Sequence, residues 1–296
     1  MGIFVNGPIL AILGAFFYAA HLIIVRKATV TSEPLDAALA VTLVNALLFL
    51  PLILVYLSDF GFPLVALLAF VASGVFANFL GRICVYEGTK RIGASRTIPF
   101  TRGETLVATF LGIMVLGEAI TIGHLTGTFV LVGGVMVLSY EVKEEEAGGG
   151  WGVSPDLMFP FMAMILFGFA ALFDKTGLSQ GVPIPVGLAV KFSGAVLGLS
   201  LYSIIKGNSI FTQLTEGNKK MLFSAGLTSS IGLGFLYMAF SVSDIVDVMP
   251  FWSMSPLFGV LLSFIFLKDL EKITKPVIIG SILVVIGAVL IERFMV

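Results

Sequence analysis

The sequence predicts an all-α membrane protein in which ten transmembrane helices form two inverted five-helix repeats. Three observations support this prediction: an apolar composition, ten apolar runs of transmembrane length, and a set of residues that recurs about 150 positions later. Of the 296 residues, 58% are hydrophobic and 12% are charged, and the mean hydropathy is +1.07. Because a soluble domain carries about 25% charged residues, the composition excludes a soluble globular chain.

The apolar runs are bounded by charged residues, prolines and glycines. A helix needs about 20 residues to cross about 30 Å of hydrocarbon, so this chain has room for ten spans and short connections but for no soluble domain. The predicted helices, numbered 1 to 10, cover residues 7–26, 36–57, 64–88, 95–116, 121–141, 155–175, 184–205, 218–241, 245–267 and 275–294.

A charged and glycine-rich segment divides the chain after predicted helix 5. It runs from Glu141 to Gly150 and reads EVKEEEAGGG, a composition typical of linkers. The predicted organisation is therefore a first repeat over residues 1–141, a linker over 142–154 and a second repeat over 155–296.

The two halves share residues at matched spacings, which indicates an internal repeat. The first half contains Tyr86, Pro99-Phe100, Glu118, Thr121, Gly127 and Gly134. The second half contains Tyr237, Pro250-Phe251, Glu271, Thr274, Gly280 and Gly287. The intervals from Glu to Thr to Gly to Gly are 3, 6 and 7 residues in both sets. Since five spans are an odd number, equivalent helices cross the membrane in opposite directions, an arrangement typical of transporters.

Charge and cysteine content exclude several other classes. The formal net charge of −1 offers no basic surface for nucleic acid. Cys84 is the single cysteine, so no intramolecular disulfide forms, and His21 and His124 alone make no Cys/His metal site. We therefore expect no metal and no cofactor. Residues 1–7 contain no Lys or Arg, so the first apolar segment is predicted to be a retained span and not a signal peptide.

These motifs carry a family resemblance. The step Leu116-Gly117-Glu118 followed by Thr121, Gly127 and Gly134, together with the aromatic-rich first helix of each half, resembles the EamA-like branch of the drug/metabolite transporter superfamily. Two features depart from the family pattern: Leu267-Lys268-Asp269-Leu270-Glu271 in the second half, and Phe17-Tyr18-Ala19 in place of Trp-Gly in helix 1.

The resemblance implies a transporter of the cell membrane that moves a small polar or amphipathic metabolite by alternating access. It implies a central cavity lined by helices 1, 3, 4, 6, 8 and 9, with helices 5 and 10 supporting the bundle. The expected partners are the small-molecule substrate and the lipid bilayer, with protons as a candidate coupling ion. A monomer and a homodimer both fit.

Ionisable residues inside predicted spans are the first candidates for substrate binding, because each is costly in hydrocarbon unless it faces a cavity or a partner. Arg102 and Glu104 lie about a third of the way into helix 4. Two positions correspond to about 200° around a helix, so the prediction is that they do not pair with each other. We expect Arg102 to bind an anionic substrate group; the alternative is an interhelical salt bridge.

Other charged residues divide between the site and the membrane edge. Lys191 on helix 7 precedes a small-residue stretch and is a further candidate. Arg82 and Glu87 lie within two turns of the basic end of helix 3 and are assigned to interfacial anchoring. The pairs Arg26-Lys27 and Asp174-Lys175 are predicted to mark the membrane edge.

Aromatic and neutral polar residues complete the predicted substrate site. The substrate-binding candidates of this kind are His21, Asn78, Tyr237, Trp252, Ser253 and Ser255. A shuttled proton and a structural role are both open for His21. Pro99, Pro250 and Pro256 are predicted hinges, although for Pro99 a simple helix-start proline is the preferred interpretation.

Other classes fit the sequence less well. The Asp244 to Asp247 D-x-x-D motif lacks the further aspartate of a phosphotransferase site, and no other paired acid and base is present, so we predict no enzyme and no catalytic residue. Rings of repeated polar residues, as in channels, are absent from the sequence. A non-transporting membrane scaffold or receptor subunit stays open, and saturable flux in proteoliposomes separates it from a transporter.

Two arguments about orientation disagree. Lys and Arg concentrate after helices 1, 3, 5, 7 and 9, which by the positive-inside rule places both termini outside. The resemblance implies termini in the cytoplasm. The even number of spans places both termini on one side in either case.

Overall fold

A computed structural model describes residues 6–56, 63–116, 122–147, 154–207, 218–242, 248 and 251–293, and within those ranges the protein contains helices and turns and no strand. The helices are α1 (Gly7–Ala28), α2 (Pro34–Tyr56), α3 (Leu64–Ile92), α4a (Ala94–Thr101), α4b (Glu104–Leu116), α5 (Ile122–Ala147), α6 (Pro155–Leu178), α7 (Ile184–Ile205), α8 (Lys219–Val242), α9 (Ser255–Phe266) and α10 (Lys275–Arg293).

The helices are apolar enough for a bilayer. Within the described ranges, six helices (α1, α2, α3, α6, α7 and α8) have the length and composition to cross a membrane. Shorter apolar helical stretches cover Leu125–Leu138, Ser255–Phe266 and Lys275–Ile291. Large apolar side chains such as Leu54 and Phe129 are 72% and 77% exposed on the outside of the bundle. A lipid environment explains this surface, so the protein is an integral membrane protein.

The predicted helices 4 and 9 are both interrupted. Between α4a and α4b, the Arg102 N–H donates to the Pro99 carbonyl at 3.2 Å, which is the bond of a tight turn. Immediately before α9, the Met254 N–H donates to the Phe251 carbonyl at 3.2 Å in the same way. The turn residues Arg102 and Ser253 occupy equivalent positions of the two repeats. The interruptions are therefore a repeated feature of the fold.

Proline placement differs from the prediction. Helix α4a begins directly after Gly93, whose φ of +92° is a conformation that favours glycine, and Pro99 lies inside the helix. The helix-start interpretation of Pro99 is therefore wrong. Pro99 has no N–H to donate to the Ser95 carbonyl, so α4a lacks one bond of its ladder, and the helix ends at Thr101. Pro256 lies in the first turn of α9, just after the interruption at Ser253 and Met254. Pro250 lies outside the described residues.

Helices α5 and α10 pack through glycines in antiparallel directions. A Cβ atom on Gly134 would lie 2.8 Å from the carbonyl oxygen of Gly280, and one on Gly127 would lie 2.8 Å from that of Gly287. The earlier glycine of α5 thus meets the later glycine of α10. Small residues let the two backbones approach closely, which is a common source of helix association in membranes.

We expect Gly134→Ala to lower the stability of the protein by about 1 to 3 kcal/mol, because the new methyl group meets backbone atoms that cannot turn away. Gly133→Ala is the matched control: no atom lies within 4 Å of a Cβ at Gly133. The melting temperatures of the two purified variants check this prediction. Equal melting temperatures would show that α5 and α10 do not pack through these glycines.

The two halves interlock. Helix α1 of the first half packs along α8 of the second, where a Cβ on Gly14 would lie 3.0 Å from the Gly232 carbonyl oxygen. Helix α3 of the first half packs along α6 of the second, where a Cβ on Gly81 would lie 2.6 Å from the Phe167 ring. Repeat mates thus form equivalent pairs, and the core lies between the halves.

Ion pairs join the helices at one end of the bundle, which we call the odd-loop end because α1, α3 and α9 finish there. Arg26 lies 3.5 Å from Glu271. At the same end, Lys90 pairs with Glu33 at 3.1 Å, and Asp156 pairs with the basic end of α3 at 2.7 Å. The Arg26 side chain is only 14% exposed, so it contacts protein on the inside of this end. Its position in the last turn of α1 leaves the assignment to the membrane edge a prediction.

Candidate functional site

A central cavity of about 240 Å³ lies between the two halves. Seven of the nine predicted substrate-binding residues line it, namely His21, Asn78, Arg102, Glu104, Lys191, Tyr237 and Trp252. Ser253 and Ser255 are buried beside the interruption before α9 and do not line the cavity. The wall includes α7 in addition to the helices that the family resemblance implies, because α7 contributes Leu188, Lys191 and Phe192.

Arg102 lies at the interruption of helix 4 and is 3% exposed. Its guanidinium carbon is 4.8 Å from the centre of the Tyr18 ring and 5.2 Å from that of Trp252, so two aromatic faces hold the cation. Nη1 donates to a Glu104 carboxylate oxygen at 3.1 Å. The prediction that Arg102 and Glu104 do not pair is wrong. It assumed continuous helical geometry, and the turn at Arg102 and Gly103 brings both side chains to the cavity.

A second ion pair spans α6 and α7. Lys191 Nζ donates to an Asp174 carboxylate oxygen at 2.6 Å, and both residues line the cavity. Asp174 thus faces the cavity from the last turns of α6, which ends at Leu178. Its assignment to the membrane edge stays a prediction.

Arg82 is a functional candidate that the sequence argument missed. It is 8% exposed and lines the cavity, so the assignment to interfacial anchoring is wrong. Its Nη1 donates to Thr42 Oγ1 and to Asn45 Oδ1, both at 2.9 Å on α2. The length of its helix explains the error: α3 has 29 residues, so a position ten residues before its end lies about 15 Å inside it.

His21 connects three helices. Its Nδ1 lies 2.9 Å from the Ala225 carbonyl oxygen on α8, and its Nε2 lies 3.0 Å from the Tyr86 hydroxyl on α3. Since a carbonyl only accepts, Nδ1 carries the proton, and a neutral imidazole then accepts from Tyr86 through Nε2. Both ring nitrogens therefore have protein partners at the cavity wall.

Helix α3 changes its winding next to the cavity. Residues Gly74–Gly81 form a π-helical segment that ends directly before Arg82. At Gly74 this segment touches the backbone carbonyl of Lys191 so closely that no side chain fits. Asn78, which lies on the segment, is 8% exposed and lines the cavity. π-Helical turns are rare and occur frequently at functional sites. Residue spacing alone carried no indication of this one.

The cavity wall has an uneven charge. Among the described residues that line it, Arg82, Arg102 and Lys191 are cations, whereas Glu104 and Asp174 are the carboxylates. Aromatic rings surround these charges, so the wall is suited to a compact ligand with both polar and apolar parts. The D-x-x-D motif of Asp244 to Asp247 lies outside the described residues.

Comparisons with known proteins agree with this architecture. The model of the EamA-like transporter family matches residues 5–140 and again residues 155–293. The chain belongs to the EamA-like transporter family, and its two halves each correspond to one copy of the family's repeat unit.

A search of curated proteins finds no match to the sequence. One solved crystal structure, described only as that of a protein, superposes with a TM-score of 0.60 at 14% identity. The match covers 96% of this chain and 95% of that one. At this identity the likeness concerns the fold alone.

Proposed function

We propose that this protein is a secondary transporter of the cell membrane that moves a small polar or amphipathic metabolite by alternating access, with the central cavity as its substrate site. The observation that carries the proposal is the meeting of two interrupted helices at a charged, aromatic cavity between the halves. Interrupted helices at a repeat interface are a recurring transporter feature, because unwound backbone and half-helix ends are tolerated only where they face a cavity.

The proposed architecture is ten spans in two inverted repeats. The antiparallel contact of α5 and α10 supports inversion, because these helices are repeat mates and a rotation about the membrane normal would make them parallel. The equivalent pairs α1 with α8 and α6 with α3 support the same symmetry. Superposition of residues 1–141 on 155–296 tests it.

In the proposed transport cycle, the cavity opens alternately at the two ends of the bundle. Ion pairs such as Arg26 with Glu271 hold the odd-loop end together in this state. Rocking of one repeat against the other would release them and close the opposite end. Pro99, Pro250 and Pro256 are the proposed hinges: Pro99 and Pro256 stand beside the interruptions of helices 4 and 9, and Pro250 precedes the second interruption in the sequence.

Seven cavity residues are proposed to contact the substrate: His21, Asn78, Arg102, Glu104, Lys191, Tyr237 and Trp252. Ser253 and Ser255 are buried at the interruption before α9 and are proposed to position Trp252. A proton is the candidate coupling ion.

Flux in proteoliposomes is the direct test. We expect saturable counterflow of at least one member of a panel of small metabolites, and a dependence on an imposed pH gradient if protons are coupled. A membrane scaffold or receptor subunit predicts no flux for any member. The absence of saturable flux across the whole panel would contradict the transporter proposal.

Thiol labelling tests alternating access. In a Cys84→Ser background, we expect Ala171→Cys on the cavity wall to react with a membrane-impermeant reagent from both sides of the membrane, and transported substrate to slow the reaction. Val30→Cys, in the turn after α1, is the control that substrate leaves unchanged, because Val30 is 58% exposed and lies outside the cavity. Labelling from one side only, under every gradient and substrate condition, would contradict alternating access.

A further inference from the structure

Arg82 differs from the other two cavity cations in its partners. Arg102 is 3.1 Å from Glu104, and Lys191 is 2.6 Å from Asp174, so a carboxylate balances each charge. Among the described residues, no carboxylate forms an ion pair with Arg82. Its hydrogen-bond acceptors are the hydroxyl of Thr42 and the amide oxygen of Asn45, which carry no formal charge. One positive charge of the cavity wall is thus left unbalanced.

The acceptors of Arg82 are themselves held in one orientation. Thr42 Oγ1 donates to the Ala38 carbonyl oxygen at 2.6 Å, so its lone pairs face Arg82. Asn45 Nδ2 donates to Ser230 Oγ at 2.6 Å and to the Gly226 carbonyl oxygen at 3.2 Å, which leaves Oδ1 as the atom that faces Arg82. The guanidinium is therefore anchored firmly by neutral groups.

The anchor uses only one nitrogen of the guanidinium. Nη1 makes both hydrogen bonds to α2, one with each of its N–H groups. Nε and Nη2 make no hydrogen bond to any described residue. Neither is sealed inside the protein, since the buried polar atoms without a partner include Nε of Arg102 but no atom of Arg82. The Nε and Nη2 edge therefore opens on the cavity that Arg82 lines.

That free edge has the geometry of a carboxylate receptor. Nε and Nη2 present parallel N–H groups that match the two oxygens of a carboxylate. The Phe192 ring centre lies 5.7 Å from the guanidinium carbon, so an apolar ring packs against the same guanidinium. The cavity of about 240 Å³ restricts the ligand to a compact molecule.

We propose that Arg82 is the subsite for the carboxylate of a small organic monoanion, bound by two parallel hydrogen bonds from its Nε and Nη2 edge. The apolar part of the ligand then lies among the aromatic rings of the wall. A monoanion also balances the one unpaired charge of the cavity. This inference rests on the proposed function, since it names the class of molecule that the transport site takes.

Benzoate is the probe, because it is a compact aromatic monoanion, and benzamide is its neutral analogue of the same shape. We expect benzoate, but not benzamide, to raise the melting temperature of the purified full-length protein at constant ionic strength. Phenyl phosphate is included because a phosphate could use the same guanidinium. Stabilisation by phenyl phosphate at lower concentrations than by benzoate would overturn the carboxylate assignment.

Substitutions of Arg82 test whether benzoate binds at this residue. Arg82→Gln keeps a donor for Thr42 and Asn45 but removes the charge and the fork, so the apparent Kd for benzoate should rise about 100-fold. Arg82→Lys keeps the charge and loses the two parallel N–H groups, so the apparent Kd for benzoate should rise about tenfold. Arg91→Gln is the matched control on the same helix, since Arg91 lies at the odd-loop end outside the cavity, and its benzoate affinity should equal that of the wild type.

A labelling measurement keeps the test decisive if Arg82→Gln does not fold. In the Cys84→Ser background, a cysteine replaces Ala77, which lines the cavity one π-helical turn before Arg82. Benzoate should protect Ala77→Cys from a thiol reagent, and benzamide should not. Failure of benzoate to stabilise or protect, or equal effects of benzamide, would overturn the proposal.

The outcome is separable from that of the transporter proposal. Saturable flux of neutral or cationic metabolites, unchanged in Arg82→Gln, would leave the transporter intact and remove the carboxylate subsite. Benzoate binding that depends on Arg82, without flux of any panel member, would support the subsite and contradict transport.

Discussion

Replacement of Arg102 by alanine is expected to abolish transport, and replacement by lysine to impair it. The guanidinium packs against the rings of Tyr18 and Trp252 and pairs with Glu104 at 3.1 Å. Alanine removes both ring contacts and leaves the Glu104 carboxylate without its cation at the cavity. Because Arg102 is proposed to contact the substrate, alanine also removes a charge-assisted hydrogen bond of about 1.5 to 3 kcal/mol, so the transport rate is expected to fall on the order of 100-fold.

Lysine keeps the charge but has no planar guanidinium that can contact both rings and also reach a carboxylate. We expect Arg102→Lys to retain about a tenth of the transport rate. The same purified variants give the melting temperatures. Full transport by Arg102→Ala would remove Arg102 from the site. A loss of transport that matches the loss of folded protein would assign it a structural role instead.

Removal of both charges distinguishes the contribution of the Arg102–Glu104 ion pair to transport from that of the ring contacts. The double variant Arg102→Gln with Glu104→Gln has no stranded charge, so we expect it to fold better than Arg102→Ala, yet to remain poor in transport because the rings lose their cation. Recovery of transport in the double variant would show that the ion pair alone matters.

The membrane class and the repeat were predictable because they depend on composition and periodicity. Hydrocarbon requires long apolar helices with internally paired backbones, so apolar runs report spans directly. The repeat is visible because close helix packing tolerates only small residues at fixed positions, as at Gly127 and Gly134. Both properties depend on local sequence and need no knowledge of distant contacts.

The site was predictable in part. Arg102, Glu104 and Lys191 were found because charged residues in apolar spans need a cavity or partner. The ion pairs that these residues form were not predicted, because pairing depends on the break in helix 4 and on which helices are neighbours. Arg82 was misassigned because nearness in sequence to a basic helix end does not measure depth in a long helix.

Glu271 has a role that the repeat pattern did not reveal. The sequence identifies it only as the mate of Glu118, which lies outside the described residues. In the structure its side chain is 1% exposed, and its two carboxylate oxygens accept the N–H groups of Ala94 at 2.7 Å and Ser95 at 3.1 Å. Glu271 thus caps α4a, a helix of the other half, which no local pattern could predict.

Replacement of Glu271 by glutamine is therefore expected to destabilise the protein and to open the odd-loop end. The carboxylate complements the positive end of α4a and pairs with Arg26 at 3.5 Å. Glutamine accepts one N–H bond but leaves Arg26 with no counter-charge in a mostly buried position. Removal of one partner from such a pair costs about 3 to 5 kcal/mol, and melting temperatures of purified variants should fall accordingly.

Two comparisons make this prediction specific. Glu33→Gln is the matched control at the same end: the Glu33 side chain is 71% exposed and pairs with Lys90, so its loss should change stability by less than about 1 kcal/mol. The double variant Arg26→Gln with Glu271→Gln removes both charges, so it should be more stable than Glu271→Gln alone. If it is less stable, the ion pair is not the source of the effect.

Thiol labelling reports the opening itself. Leu267, at the end of α9 beside this contact, is 1% exposed. In a Cys84→Ser background, we expect Leu267→Cys to react slowly with a membrane-impermeant reagent, and to react faster when Glu271→Gln is added but not when Glu33→Gln is added. Glu271, in the second half, holds both the start of α4a and Arg26 of α1, which belong to the first half. Loss of the carboxylate is therefore expected to release α4a and Arg26 together. Unchanged labelling together with a lower melting temperature would assign Glu271 to stability alone and leave the closure of this end to the surrounding ion pairs.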